Sequence, residues 1–376
     1  MRYKERFLFL FFFIFCFQIK GGAQDKPQVK LGGALRFNYN YSDWNSNNRK
    51  RGGDLGYDVL RLDVDASYKR LSLDLDYRFY PSSSGGGMLK HGFIGYDFND
   101  HHNLKFGLAP VPFGLKPYTS NSYFFNINYY LGFEDDADLG VSYHYQDKHW
   151  GASLAFFKNA DVLDFSSGRE ASPDRYGYDV GGRNKETNQL NGQVTYQFGT
   201  TWKQQLGVSG QLGGLYNLDT QEMGTSAAWA LHYMVDYKHW NLKAQYTGYK
   251  MKPRNKVGES RESVAMIAYG LDYQMASEAN TYSIALAYKI PINKGILDEI
   301  CLYNDFSMMQ KQTDGFNDSY QNVTGAMLTM GPIYTYVDWV AGKNQPWFGA
   351  DWNTAFAEGI DSKWHTRVNV NVGYYF

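Results

Sequence analysis

The segment VNVNVGYYF, residues 368–376, alternates between two kinds of side chain. One face carries Val368, Val370, Val372, Tyr374 and Phe376. The other carries Asn369, Asn371, Gly373 and Tyr375. A period of two residues is typical of a β-strand with one apolar face and one mostly polar face. The rest of the sequence decides which surroundings the apolar face meets.

The same alternation recurs along the chain in segments of about ten residues, for example at 60–68 and 71–79. About ten residues are enough for a tilted strand to cross a membrane. Short connections, such as Lys69-Arg70 and Lys238-His239, alternate with long ones. Short turns at one end and long loops at the other are the rule for transmembrane β-barrels.

The strand number follows from parity. There are 17 strand-like segments, but a barrel with both termini on the periplasmic side needs an even number. One segment, SVAMIAYGLDY at 263–273, breaks the alternation of connections, so we assign 252–280 to one long outer loop. The sequence therefore predicts an all-β chain, folded as a transmembrane antiparallel β-barrel of about 16 strands with a water-filled lumen.

The N-terminal segment is expected to be removed. Three basic residues precede an apolar run at 7–17, and small residues follow at 21–23. This arrangement is typical of a secretory signal peptide. We predict a signal peptide at 1–23 and a barrel at 24–376, exported and inserted into the outer membrane of a Gram-negative bacterium.

Composition excludes several classes of function. Cleavage leaves 33 basic and 37 acidic residues, a net charge of about −4, which argues against nucleic-acid binding. Only Cys301 remains, so neither an intramolecular disulfide nor a cysteine metal site can form. Aromatic residues make up 18% of the chain, including 32 tyrosines, and we expect them in girdles where the barrel meets lipid headgroups.

Motifs of enzymes are absent from the sequence: it has no GxSxG, HExxH or phosphate-binding loop. Ser142 and His144 share a strand face, a spacing that is common by chance. An acidic cluster at 134–138 could bind a divalent cation or form a solvated loop end, and we favour the solvated loop end. We predict no enzymatic activity, no cofactor and no metal.

Charged side chains are predicted to line the lumen at nine positions. These pore-lining residues are Arg36, Arg61, Asp63, Asp65, Asp74, Asp76, Arg78, Lys105 and Arg367. A turn at Lys69-Arg70 places Arg61 opposite Arg78 and Asp63 opposite Asp76, so we expect diagonal pairs of opposite charge to offset the repulsion. This wall is either a hydrated, salt-bridged surface or a charged stripe that orders ions across the lumen.

A long loop follows the fifth strand. Pro110 and Pro112 end regular pairing, and Pro112-Phe113-Gly114 is expected to turn the chain into the loop. We predict that this loop folds inward and narrows the pore. Its constriction residues are Pro112, Phe113, Gly114, Glu134, Asp135 and Asp136.

Three stretches carry a family resemblance. Residues 107–114 match the pattern G-x-x-x-x-P-F-G, and 323–344 and 367–376 resemble a penultimate hairpin and a closing strand. On these the chain resembles the phosphate-selective porin O/P family. The resemblance implies a trimeric 16-stranded barrel with an inward loop and passive transport of anions or small solutes.

The final strand also resembles an assembly signal. Val372, Tyr374 and Phe376 are similar to the C-terminal pattern by which outer-membrane proteins are recognised for insertion, which implies the barrel assembly machinery as a partner. A strand that closes the barrel against the first needs no tail after it. The other expected partners are outer-membrane lipid and two further copies of the chain, with no nucleic acid.

Selectivity is where the sequence departs from the family. The family's selective members line the constriction with Arg and Lys, whereas residues 117–138 here contain no basic residue and four acidic ones. We therefore predict a porin for passive diffusion of small hydrophilic solutes or ions, anions such as phosphate among them, with weak selectivity. One alternative is a non-transporting barrel subunit or adhesin, recognisable by a blocked lumen. Another is an outer-membrane hydrolase, recognisable by a contact between nucleophile and base.

Overall fold

The computed structural model describes residues 26–160, 175–361 and 363–376. The predicted signal peptide at 1–23 lies outside these residues, so it stays a prediction. The strands in the described ranges are β1 (Gln28–Ser42), β2 (Asp54–Tyr68), β3 (Leu71–Phe79), β4 (Gly87–Asn99), β5 (His102–Pro110), β6 (Ala137–Gln146), β7 (Trp150–Asn159), β8 (Asp179–Val180), β9 (Asn184–Phe198), β10 (Lys203–Asn217), β11 (Met223–Tyr237), β12 (Trp240–Lys252), β13 (Ser263–Ala268), β14 (Leu271–Ala276), β15 (Glu278–Lys294), β16 (Leu297–Lys311), β17 (Ser319–Met330), β18 (Ile333–Lys343) and β19 (His365–Tyr375).

Helical structure is confined to the connections in the described part of the chain. It comprises α1 (Ser46–Arg51), α2 (Ile127–Tyr130) and two 3-10 turns, Ser82–Ser84 and Pro346–Phe348. None of the helices in the described ranges has the length and apolar composition that crossing a bilayer would require.

A single closed barrel contains every strand except β8, β13 and β14. Neighbouring strands are antiparallel, and β19 closes the ring by pairing with β1, for instance through Leu35 with Tyr374 and Tyr39 with Val370. The barrel therefore has sixteen strands, as parity predicted. Closure leaves no unpaired strand edge, which a bilayer could not solvate.

The segment at 263–273 lies outside the barrel wall, as predicted. Its chain reverses at Tyr269-Gly270, where both residues have positive φ, and forms the hairpin β13–β14. Strand β8 from another long connection joins this hairpin as a third strand. Because Met266, Ile267 and Ala268 are all buried in succession, the hairpin has no lipid-facing side.

Connections differ in length at the two ends of the barrel. At one end the links are two to four residues long, at 69–70, 100–101, 147–149, 199–202, 238–239, 295–296 and 331–332. At the other end they cover 43–53, 80–86, 111–136, 160–183, 218–222, 253–277, 312–318 and 344–364. The predicted two-sided asymmetry is confirmed, and we call these the turn end and the loop end.

The outer face of the barrel is apolar. On the closing strand Val368 and Tyr374 are exposed, whereas Asn369 and Asn371 are buried inside the barrel. The same outward orientation holds for apolar residues on many other strands, including Leu35, Leu62, Ile94, Phe106, Leu154, Leu190, Val208, Leu231, Ile284 and Leu302. An exposed apolar band around a polar interior is the arrangement that suits a bilayer.

Phe376 is held by the first strand. Its backbone N–H donates to the carbonyl oxygen of Gly33 at 3.1 Å, and its carbonyl oxygen accepts from the Gly33 N–H at 2.9 Å. Deleting Phe376 removes both bonds, each contributing about 1 kcal/mol, together with an outward aromatic ring. We expect a lower fraction of heat-modifiable, folded barrel in isolated outer membranes, whereas Phe376→Tyr should match the unchanged protein. Equal folded fractions for the deletion would contradict a role in closure.

Candidate functional site

The connection between β5 and β6, residues 111–136, enters the barrel, and we call it the constriction loop. Its base is narrow because the Val111 N–H donates to the Asp136 carbonyl oxygen at 3.0 Å. The predicted turn at Pro112-Phe113-Gly114 follows at once. Gly114 has φ +65°, and a Cβ there would lie 2.7 Å from the Gln245 side chain, so only glycine fits.

The loop then crosses to the opposite wall. The Asp305 carboxylate on β16 accepts hydrogen bonds from the N–H groups of Asn121 (2.8 Å) and Ser122 (2.7 Å). On β12, the Lys243 ammonium donates to the Ser120 carbonyl oxygen at 2.9 Å. The predicted inward folding is confirmed, and polar groups on β12 and β16 hold the loop across the lumen.

The acidic end of the loop is buried or paired. Glu134 accepts a hydrogen bond from the Asn126 amide at 2.7 Å, and Asp135 forms a 2.8 Å ion pair with Lys90 on β4. Asp136 lies with Asp138 and Asp179 in a buried group in which one carboxylate oxygen from each residue lies within 4.8 Å of the other two. The interpretation of 134–138 as a solvated loop end is therefore wrong, because the loop end is packed against residues 175–179.

Hydrogen-bond donors and a cation lie close to these three carboxylates. Asp138 accepts from the Gln189 amide at 3.1 Å, and Asp179 pairs with Arg175 at 2.8 Å. Burial raises the pKa of Asp136, and the neighbouring Asp179 carboxylate raises it further. These contacts link the constriction loop to residues 175–179 and account for the close packing at this point.

Burial also raises the pKa of Glu134, to about 7, against the opposing effects of the Asn126 amide and the cations Lys243 and Lys116. The folded state therefore binds more protons than the unfolded state between about pH 4.5 and 7, so stability falls as pH rises through that window. We expect the temperature of heat modification to decrease from pH 5 to pH 8. Glu134→Gln should flatten the decrease and Glu259→Gln, in an exposed connection, should not. A slope unchanged in Glu134→Gln would contradict this assignment.

Four arginines lie side by side on adjacent strands opposite the constriction loop, and we call them the arginine wall. They are Arg36 on β1, Arg61 on β2, Arg78 on β3 and Arg367 on β19. They line a cavity of about 410 Å³, the arginine cavity, whose other side is formed by loop residues such as Tyr118 and Phe125. The structure thus brings together four of the nine predicted pore-lining residues.

Each arginine of the wall is placed over an aromatic ring. The guanidinium carbon of Arg36 lies 5.5 Å from the ring centre of Tyr123, and that of Arg78 lies 4.5 Å from Tyr176. The corresponding distances are 5.7 Å for Arg61 over Tyr375 and 5.1 Å for Arg367 over Phe124. Such stacking fixes the planar groups while leaving their N–H edges available for hydrogen bonds.

Three of the four arginines also have a carboxylate partner. Arg36 lies 3.0 Å from Asp58, Arg78 lies 2.9 Å from Asp76, and Arg61 pairs with Asp63. The predicted register is confirmed, with Arg61 opposite Arg78 and Asp63 opposite Asp76. The predicted diagonal pairs are wrong, because on each strand the arginine reaches the aspartate two residues away on the same face.

Asp58 was missed because a β-bulge moves it. The register between β1 and β2 shifts at Arg36–Phe37, where Arg36 is opposite Val59 and Phe37 is opposite Tyr57. Asp58 is the extra residue, so strict alternation assigns it to the wrong face. Bulges commonly redirect a side chain in this way, and here the carboxylate reaches Arg36.

Three of the predicted lumen residues, Asp65, Asp74 and Lys105, neither line the arginine cavity nor pair with the arginine wall. The Asp74 carboxylate oxygen Oδ1 lies 2.7 Å from His91 Nε2. The Lys105 ammonium nitrogen lies 4.5 Å from the centre of the Phe93 ring. Asp65 is exposed near the turn end. These positions face the interior by register, but the structure gives them no shared site with the arginine wall.

A second cavity, of about 620 Å³, lies at the loop end, and we call it the vestibule. Connections 43–53, 80–86 and 344–364 line it, with Trp44 and Trp352 among its residues. It adjoins the arginine cavity, since both are lined by six common residues: Asn38, Asp58, Tyr80, Ser84, Trp347 and Arg367. The two cavities therefore lie side by side between the loop end and the arginine wall.

The long connections pack together through an aromatic core that sequence reasoning missed. Tyr129 of the constriction loop hydrogen-bonds Tyr269 of the hairpin (oxygen–oxygen 2.6 Å), and Tyr273 and Phe348 are almost fully buried in the same cluster. Tyr68, Trp150 and Trp240 are exposed at the turn end, where one aromatic girdle is expected. Many of the tyrosines therefore belong to this aromatic core and not to the membrane interfaces.

The serine–histidine pair noted in the sequence does make contact. Ser142 Oγ lies 2.8 Å from His144 Nε2, and His144 Nδ1 lies 2.8 Å from Ser153 Oγ. Ser142 is fully buried, and the group oriented on the far side of the imidazole is a hydroxyl instead of a carboxylate. A nucleophile needs access to substrate and an oriented base, so this contact is better explained as a hydrogen-bonded part of the wall.

Comparison with known proteins gives a consistent result for the fold. No protein-family model and no curated protein matches the sequence. Among solved structures, the trimer form of OmpT, an outer membrane protein of Vibrio cholerae, has a TM-score of 0.60 at 14% identity, covering 94% of this chain and 100% of that chain. The anion-selective porin from Comamonas acidovorans has a TM-score of 0.57 at 14% identity, covering 93% and 100%.

The OmpF of Salmonella typhi, in complex with daunomycin, has a TM-score of 0.60 at 12% identity, covering 94% of this chain and 98% of that chain. The chain has the sixteen-stranded outer-membrane barrel fold of these structures. Because identity is so low, the likeness concerns architecture over nearly the whole chain and leaves the chemistry of the lumen to be argued from this chain's own residues.

Proposed function

We propose that this protein is an outer-membrane channel for passive diffusion of small hydrophilic solutes, with a weak preference for anions. The observation that carries the proposal is the arginine wall facing the constriction loop across a cavity that continues into the vestibule. A solute that enters at the loop end along this route passes the guanidinium groups at the narrowest place. Charges lining a narrow passage govern which ions enter it.

The preference is weak because the wall is largely neutralised. Asp58, Asp63 and Asp76 offset three arginines, leaving Arg367 with no carboxylate within ion-pair distance among the described residues. Glu134, Asp135 and Asp136, which were expected to act at the narrowest point, are not among the residues that line the arginine cavity. We therefore keep weak selectivity but assign it to the wall, without the tight phosphate site that several unpaired cations would create.

The aromatic core of the long connections is relevant to the alternative of a non-transporting barrel, because that alternative requires a blocked lumen. Aromatic side chains from the constriction loop and from connections 253–277 and 344–364 fill much of the barrel's loop end. The two adjoining cavities beside strands β19, β1, β2 and β3 favour a channel restricted to one side of the lumen. Conduction is what separates the two functions.

The setting in the cell is part of the proposal. The apolar outer band supports insertion into outer-membrane lipid, and the closing strand supports recognition by the barrel assembly machinery. OmpT of Vibrio cholerae is described in a trimer form, and we propose a homotrimer for this chain as well. The long connections would then face the outside of the cell, and the short turns the periplasm.

Recording from purified, refolded protein in planar bilayers tests the proposal. We expect stepwise, long-lived conductance increments and a small reversal potential of the anion-selective sign in a potassium chloride gradient. A matched preparation that was never refolded is the control. Folded barrels that give no increments would refute transport and favour the non-transporting alternative.

A further inference from the structure

The junction between the vestibule and the arginine cavity has an unusual pair of polar groups. Arg367 on β19 and Asn38 on β1 both line the two cavities, and their strands are neighbours in the barrel. Aromatic rings of the constriction loop and of the connection 344–364 line the same cavities, for example Phe124 and Trp347. The chemistry of Arg367 and Asn38 indicates what the junction binds.

The Arg367 guanidinium has terminal N–H groups that are available to hydrogen-bond a ligand. Its Nε donates to Asn40 Oδ1 at 2.7 Å, and the Phe124 ring supports its guanidinium face. Its two terminal nitrogens make no hydrogen bond to the described residues, and neither is among the fully buried polar atoms that lack a partner. Two parallel N–H groups on a fixed guanidinium match the two oxygens of a carboxylate.

The side-chain amide oxygen of Asn38 is a hydrogen-bond acceptor that no donor of the described residues satisfies. Its Oδ1 is buried and has no hydrogen-bond partner among the described residues. A buried acceptor left unsatisfied is unfavourable, so a group with a donor is expected there. A hydroxyl of a bound solute can supply that donor, whereas a bare carboxylate cannot.

The vestibule supplies apolar faces at the same place. Trp347 lines both cavities, and Trp352 lies edge-on to it with ring centres 4.9 Å apart. Trp44 lines the vestibule as well, from the connection 43–53. Flat, half-buried aromatic rings that also carry a polar atom suit a ligand with one apolar face and several hydroxyls.

We infer that this junction binds an acidic saccharide, meaning a pyranose-type ring with hydroxyl groups and a carboxylate. Its carboxylate pairs with the terminal N–H groups of Arg367, a hydroxyl donates to Asn38 Oδ1, and its C–H face lies against Trp347. The inference rests on the proposed function, since it names the class of solute that uses the same passage. A simple aromatic acid lacks the hydroxyl donors, and inorganic phosphate makes no use of the rings.

Binding can be measured apart from conduction. Tryptophan fluorescence of the full-length, detergent-solubilised barrel is titrated with digalacturonate, and with maltose, benzoate and inorganic phosphate as comparisons. We expect a saturable change with digalacturonate at a concentration at least about tenfold below that of the other three. Digalacturonate should also block ionic current in bilayers over the same concentration range.

Variants connect the binding to the junction. Arg367→Gln should weaken digalacturonate binding about tenfold. Arg367→Lys keeps the charge but loses the two parallel N–H groups, so its affinity should lie between those of Arg367→Gln and the unchanged protein. Lys203→Gln, at an exposed position of the turn end, should bind as the unchanged protein does. Trp352→Ala should weaken binding without altering the charge, provided that heat modification shows a folded barrel.

The outcomes separate this inference from the proposed function. Equal affinity for maltose, benzoate or phosphate, or unchanged affinity in folded Arg367→Gln, overturns the inference while leaving a conducting channel in place. Binding of digalacturonate by a barrel that never conducts supports the inference and refutes the transport function.

Discussion

Replacing Arg367 with glutamate is expected to convert the weak anion preference into a cation preference. Arg367 has no carboxylate partner among the described residues. The exchange therefore changes the net charge of the wall and its three aspartate partners by two units and leaves that group negative. At physiological salt the field of a charge decays over about 8 Å, so a charge beside the passage dominates over distant ones. The reversal potential in a potassium chloride gradient should therefore change sign.

The control for this exchange is Lys203→Glu. It makes the same change in total charge at an exposed position of the turn end, away from the two cavities. Its reversal potential should stay close to that of the unchanged protein. If Arg367→Glu and Lys203→Glu shift the reversal potential equally, the arginine wall is not beside the route that ions take.

Removal of the constriction loop should give the largest change in conductance. Residues 113–134 can be replaced by two glycines, because the backbone bond between Val111 and Asp136 already brings the loop ends together. The deletion takes away Tyr118, Tyr123 and Phe125, which form one side of the arginine cavity. We expect single-channel conductance to rise at least about twofold, since the narrowest section limits the current.

Deletion of residues 257–259 provides the comparison for the loop removal. These residues lie in an exposed part of the connection 253–277, and Val257 is fully exposed. Their loss should leave the conductance unchanged. Both deletion variants must show heat modification, because the constriction loop contributes buried aromatic rings and its removal lowers stability. An unchanged conductance in a folded loop-deletion variant would mean that the passage does not run beside the loop.

The barrel wall could be predicted from the sequence because its information is local. Alternation with a period of two sets the faces, and the turn at Lys69-Arg70 sets the register of β2 against β3, as observed. The segment 263–273 could be excluded from the wall by the parity of connection lengths alone. The bulge at Asp58 was not predictable, because one extra residue leaves the surrounding alternation intact.

The candidate site depends on contacts between distant parts of the chain. Tyr129 and Tyr269 are 140 residues apart, and the constriction loop meets Asp305 across 184 residues. Loops lack the periodicity that reveals faces in strands, so neither the aromatic core nor the burial of Glu134 and Asp136 could be read from the sequence. Asn38 and Arg367 likewise line the same cavities only because the last strand closes on the first.

The most direct test of the passage is chemical modification of one cysteine at its junction. Ser84 lines both cavities, and replacing Cys301 with serine removes the free thiol of the described chain. We expect an anionic, thiol-specific methanethiosulfonate reagent to lower the current of Ser84→Cys within a recording and to leave Val257→Cys unaffected. Complete labelling of Ser84→Cys without any change in current would contradict a route between the arginine wall and the constriction loop.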